Sequence, residues 1–69
     1  MRLSARNTLK GRVSEVRHGV VNSEVTLELP GGTQVTAIIT KQSAEELGLQ
    51  QGKEAYAIIK ATNVMVAVD

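Results

Sequence analysis

Pro30-Gly31-Gly32 constrains the course of this chain more firmly than any other segment. Proline presets φ near the value that opens a reverse turn, and the glycines tolerate the positive φ that completes it. Before the turn, Val21, Val25, Leu27 and Leu29 recur at mostly even spacing, the signature of a strand with one buried face. Val20–Leu29 and Thr33–Ile39 are therefore expected to form an antiparallel hairpin. Upstream, Leu9, Gly11 and Val13 share one face of an earlier strand, and His18-Gly19 separates it from the hairpin.

After the hairpin the periodicity changes. Thr40 to Leu49 is the only helical segment, opened by Thr40 as an N-cap and closed by Gly48, where left-handed geometry ends a helix. Glu45 and Glu46 lie on this helix as surface carboxylates and not as a catalytic pair. Gln50-Gln51-Gly52-Lys53 makes a second turn, and Glu54–Lys60 and Val64–Val68 read as two further strands interrupted by Ala61-Thr62-Asn63. The element order is strand, strand, strand, short helix, strand, strand. That order predicts an all-β fold, a small five-stranded barrel of the oligonucleotide/oligosaccharide-binding type with one short helix.

Sixty-nine residues permit a single domain, 1–69, close to the lower limit at which one core stabilises itself. With no cysteine there is no disulfide staple, so self-association is expected to supply what the core cannot. No apolar stretch is long enough for a signal peptide or a membrane span, so a cytoplasmic location without membrane attachment is expected.

The charges exclude some functions. The net charge is only +1, and Tyr56 is the single aromatic residue, which argues against readers that stack bases on aromatic side chains. The basic residues are nonetheless clustered. Residues 1–17 carry Arg2, Arg6, Lys10, Arg12 and Arg17 against Glu15 alone. An acid, base or nucleophile constellation is missing: His18 is the one histidine and reads as an exposed turn residue, and the carboxylates are scattered. No enzyme activity and no catalytic cofactor are expected. Metal-cation spacing is likewise absent from the pattern.

What the sequence does supply is donors near turns: Ser4, Arg6 and Asn7 before the first strand, Thr40 and Ser43 at the helix start, and Lys60 and Thr62 at a strand end. Hydroxyls, backbone N–H groups and two cations suit an anion of charge two. From composition and spacing alone these residues are equally an N-cap, a helix residue and solvated surface groups.

The segment Ser4-Ala5-Arg6-Asn7-Thr8-Leu9-Lys10-Gly11 resembles the opening S-A-R-N-x-L-x-G signature of the Mop (molbindin) family, which also occurs as the TOBE domains of molybdate transporters and of the molybdate-responsive regulator. His18 to Val25, Ile39 to Leu49, Gly52 and Lys60-Ala61-Thr62 agree in order and spacing, so the resemblance spans essentially the whole chain. It implies a cytoplasmic homo-oligomer, a hexamer built as a trimer of dimers, that stores or buffers molybdate and also tungstate at subunit interfaces. The principal site implied takes Ser4 and Arg6 from one subunit and Thr40, Ser43, Lys60, Ala61 and Thr62 from its neighbour. A second anion site near a threefold axis would draw on His18, Asn22 and Ser23. Two other readings stand beside it: a small barrel binding single-stranded nucleic acid through the Arg-rich opening segment, and a regulatory module detached from a molybdate transporter.

Overall fold

A computed structural model describes residues 4–69. Four strands, one α-helix and one 3-10 turn follow in order: β1 (Asn7–His18), β2 (Asn22–Glu28), β3 (Gln34–Thr40), α1 (Lys41–Glu46), β4 (Glu54–Ile59) and the turn Ala61–Asn63. The hairpin forms where the turn residues place it. Gly32 N–H donates to Leu29 O at 3.0 Å across Pro30-Gly31, and Gly31 has φ +92°, which a side chain would strain.

The sheet is antiparallel throughout with strand order β3-β2-β1-β4. Its long member, β1, serves two partners in succession. Asn7–Arg12 pairs with Ile59–Glu54 of β4, and Arg12–His18 pairs with Glu28–Ser23 of β2. Between Val13 and Glu15 the register slips by one residue, leaving Ser14 as a bulge whose hydroxyl donates to Thr26 O at 3.2 Å. Bulges bend and twist the strand that carries them, which lets β1 turn from one partner to the other and curls the sheet. Gly11 sits beside this corner because nothing larger fits: a Cβ there would lie 2.8 Å from Glu28 O.

Curling brings the inner faces of all four strands onto one small core. Val13, Val25 and Leu27 are buried, with Val16, Ile39, Leu49, Ala55 and Ala57 packed against them. Ala44 of α1 is buried too. Ser23 shares the even spacing of Val25 and Leu27 and is itself buried, its hydroxyl held 2.7 Å from His18 Nδ1. α1 is capped as the sequence predicts: Thr40 Oγ1 accepts from Ser43 N–H at 3.0 Å, and Gly48 takes φ +64°.

The fold departs from the expected barrel in one element. Five strands are expected and four are found, because Val64–Val68 is assigned to no strand. The alternation of that segment is strand-like, but a strand exists only where another offers it hydrogen bonds. Among the described residues none does, and Met65, Val66 and Val68 stay about nine-tenths exposed. The sheet consequently remains a half-barrel, with β3 and β4 as unjoined edges.

Candidate oxyanion site

Where β1 begins, β4 ends, and this antiparallel juncture gathers the first group of donors. Asn7 and Ile59 are register partners, and Asn7 Nδ2 adds a bond to Ile59 O at 3.2 Å. The residues just before β1 and just after β4 are thereby held side by side. Ser4, Ala5 and Arg6 from one and Lys60, Ala61 and Thr62 from the other line a hollow of about 160 Å³. One water occupies ~30 Å³ in the liquid, so the hollow has room for a four-oxygen anion.

Its chemistry is that of a donor set. Two hydroxyls, a guanidinium and an ammonium line it, and no carboxylate does. The 3-10 turn contributes further. Asn63 N–H closes onto Lys60 O at 2.9 Å, which leaves the N–H groups of Ala61 and Thr62 with no acceptor among the described residues. Arg6 and Lys60 likewise form no ion pair among the described residues, so both charges are free to meet an anion.

A larger groove of about 530 Å³ lies around Lys10, Arg12, Glu28, Leu29 and Glu54. Size does not make it the better anion site. Its cations are already engaged: Lys10 Nζ lies 3.2 Å from Glu54, and Arg12 Nη1 donates to Gly52 O at 2.8 Å. The hydrogen bond and charge of Glu54 hold the Lys10 ammonium above the ordinary lysine value. Glu28 and Glu54 would also repel an incoming anion.

The remaining predicted site residues stand at the other end of the sheet. Thr40 is the register partner of Asn22, and His18 that of Ser23, so Thr40, Ser43, His18, Asn22 and Ser23 share one neighbourhood. Their hydroxyls are not equivalent. Thr40 Oγ1 accepts from Ser43 N–H and donates to Ser43 Oγ at 2.8 Å, whereas the Ser43 hydroxyl proton remains free to donate outward. Ser23 is buried with its oxygen engaged by His18, which makes it a core group more than a wall of a site.

Eleven steps along β1 separate the two ends. At about 3.3 Å per residue the two groups lie well over 20 Å apart even with the bend at Ser14. A single chain therefore cannot close both around one anion. Within one chain, Lys60, Ala61 and Thr62 lie beside Ser4 and Arg6, while Thr40 and Ser43 stand at the far end of the sheet.

One further feature emerges only from the folded chain. Lys53 Nζ donates to Leu47 O at 2.6 Å at the end of α1, a capping role that a lysine placed soon after a helix-ending glycine permits. Among the described residues no cluster of three His, Asp or Glu could hold a metal ion, and no helix is long and apolar enough to cross a membrane.

Comparison with known proteins gives a consistent set of relatives. The TOBE domain pattern matches residues 3–66. Molybdenum-pterin-binding protein 1 of Clostridium pasteurianum is 50% identical over 66 residues, 96% of this chain and 97% of that protein. Among solved structures, MopII from Clostridium pasteurianum superposes with TM-score 0.92 at 48% identity over 97% of this chain and all of its own. The cytoplasmic molybdate-binding protein ModG, in a form with molybdate bound, superposes with TM-score 0.91 at 54% identity, over 94% of this chain and 46% of its own.

Proposed function

The chain belongs to the TOBE domain family, and from that membership we propose that it binds molybdate, and tungstate by the same chemistry, as an intracellular store or buffer. The hollow between the start of β1 and the end of β4 carries the reading, because it offers donors and cations with no carboxylate. Molybdate is a tetrahedral dianion with four acceptor oxygens. Removing it from water is costly unless nearly every oxygen finds a donor, and a charged site repays that cost best when the donors are fixed in place.

Each group has a role in this reading. Arg6 and Lys60 offset the charge, Ser4 and Thr62 hydroxyls and the N–H groups of Ala61 and Thr62 satisfy oxygens, and Thr40 and Ser43 of a neighbouring subunit close the site. Residues 1–69 act as one binding domain within a homohexamer arranged as a trimer of dimers. Sulfate, a smaller tetrahedron, cannot reach all donors at once. Hydrogen phosphate is disfavoured because its proton needs an acceptor that the lining does not offer. The His18–Asn22 region is the place for a second, weaker anion site, with Ser23 supporting it through His18.

The protein so read is a binding protein in the cytoplasm and not an enzyme. Equilibrium dialysis against molybdate, tungstate and sulfate tests it. Retention of molybdate and tungstate at micromolar concentration with sulfate excluded is expected; equal retention of all three, or of none, refutes the proposal.

A further inference from the structure

Asn7 is a polar residue in an apolar row. On β1 it shares the more buried face with Leu9, Gly11 and Val13, and its register partner on β4, Ile59, shares that face with Ala57 and Ala55. Strand periodicity calls for an aliphatic side chain at such a position. An amide there breaks the local rule, and departures of this kind gather where a chain has a function to serve.

The amide makes one hydrogen bond among the described residues, from Nδ2 to Ile59 O at 3.2 Å. A carbonyl only accepts, so the contact fixes which end of the amide faces it. Ile59 O belongs to the peptide unit that leads into Lys60, and Asn7 directly follows Arg6. One side chain thus joins the two sides of the hollow at the points where its cations begin.

The tie acts against a repulsion. Arg6 and Lys60 carry like charges on one hollow, and neither has an ion-pair partner among the described residues. Lys60 is braced by the 3-10 turn, where Asn63 N–H reaches Lys60 O at 2.9 Å. Ser4, Ala5 and Arg6 lack such a brace, since none of the three forms a hydrogen bond among the described residues. Asn7 is the last fixed point before them.

We propose that Asn7 is the positioning residue of the hollow: its amide sets the span between Arg6 and Lys60, and through that span which anion the site prefers. A tetrahedral dianion holds its oxygens at fixed separations. Two cations and the N–H groups of Ala61 and Thr62 can each meet an oxygen only within a narrow range of spans. With the span held, a smaller tetrahedron leaves donors unmet. Without the amide, the Ser4–Arg6 side swings free, the cations part, and the wall adapts to whatever anion arrives. The choice of anion rests on the proposed function; the tether itself does not.

Asn7→Ala deletes the tether. In dialysis at a protein concentration where its mass by light scattering equals the parent's, molybdate retention is expected to weaken about 10-fold, the upper end for one neutral hydrogen bond, and sulfate retention to change less than about twofold. The molybdate-over-sulfate ratio therefore falls, and a ratio equal to the parent's overturns the proposal. Asn7→Asp makes the same test with shape preserved, should the alanine variant lose its strand signal in circular dichroism. Its ionised carboxylate cannot donate to Ile59 O, and its added charge weakens both anions alike, so the ratio remains the reading. A double-mutant cycle separates positioning from packing. Acting through Arg6, Asn7→Ala should cost less than about twofold in molybdate affinity once Arg6→Met is present, whereas a packing loss adds in full and refutes the assignment. Amide relaxation measured by NMR reads the tether with no anion added. In Asn7→Ala the Arg6 order parameter is expected to fall below about 0.6, the flexible range, and an unchanged value refutes the tether. Such a fall, in a protein whose parent retains no molybdate, refutes the function alone.

Discussion

Thr40 is expected to matter chiefly as a cap and Ser43 chiefly as a donor, and substitution separates the two. α1 has only six residues, so it has no length over which to redistribute a lost bond. At its start, Lys41 N–H is satisfied by Val21 O at 2.8 Å and Ser43 N–H by Thr40 Oγ1 at 3.0 Å. Thr40→Ala strips the second of these and leaves the N–H to water. Loss of such a cap costs about 1 kcal/mol, within a range of roughly 0.5–2. For a domain of this size that corresponds to a fall in Tm of about 4–8 °C. Thr40→Ser keeps the oxygen and should melt within about 2 °C of the parent. Ser43→Ala removes the acceptor of the Thr40 hydroxyl proton, which can turn to water because Thr40 is exposed, and its backbone N–H still reaches Thr40 Oγ1, so its stability cost should be a few tenths of a kcal/mol, about the level of surface changes. Molybdate retention should order the variants differently, with Ser43→Ala impaired and Thr40→Ser retained. Thermal melts by circular dichroism at one fixed protein concentration, beside dialysis, give both readings. If Thr40→Ser melts with Thr40→Ala, or Ser43→Ala loses as much stability as Thr40→Ala, the cap assignment is wrong.

Gly11→Ala would set a methyl 2.8 Å from Glu28 O at the corner of β1, and the backbone must separate to admit it. Overpacking of this kind costs about 1–3 kcal/mol, read as a lower urea midpoint with unchanged slope. Lys60→Met and Arg6→Met each remove a charge from the hollow without removing bulk, and charge-assisted hydrogen bonds of about 1.5–3 kcal/mol translate to a loss of molybdate affinity of roughly 10- to 150-fold, measured by titration calorimetry with the melting curve unchanged. The Lys10–Glu54 pair gives a pH signature of known sign. Glu54 raises the Lys10 pKa, so the contribution is full at neutral pH, below the ordinary lysine value, and disappears as pH rises through the raised value. Both side chains are more than half exposed, so salt should diminish the difference between the parent and Lys10→Met in melts at pH 8, and no difference should survive in strong alkali.

Local chemistry was legible in the sequence wherever it was local. Pro30-Gly31 forms its turn, Thr40 caps α1 and Gly48 ends it, because each depends on residues within a few positions. Ser23 is expected only as a donor of a second anion site, yet it shares the even spacing of Val25 and Leu27 and is buried with them, since a serine gives no apolar signal to mark its side of the strand. Pairings across the chain were not legible either. That Ser4 and Arg6 lie beside Lys60 follows from the Asn7–Ile59 register, which spans a separation of 52 residues that no periodicity encodes. The donor inventory lists these residues together and the family resemblance assigns them to one site, but neither shows that they adjoin within one chain. Val64–Val68 shows the limit most plainly. Alternation reports that a segment can be a strand, and only a partner decides that it is one.

The same limit bears on selectivity. In one chain the hollow is a shallow cradle, and Ser4, Arg6, Lys60, Ala61 and Thr62 are all exposed. Water competes there for every donor, and a charge pair in so open a place gains little. An anion held by such a wall would be chosen by charge alone, and sulfate would serve as well as molybdate. Discrimination by size needs a second wall at a fixed distance and the exclusion of water between them. A core built on Val13, Val25 and Leu27 is too small to hold two such walls in one chain, so in the proposed assembly selectivity and stability would share one source, the neighbouring subunit. Dilution should therefore erode sulfate exclusion before it erodes anion binding itself. Dialysis at falling protein concentration, with both anions present, reads that order, and a molybdate preference that persists in a species of single-chain mass would show that one wall suffices.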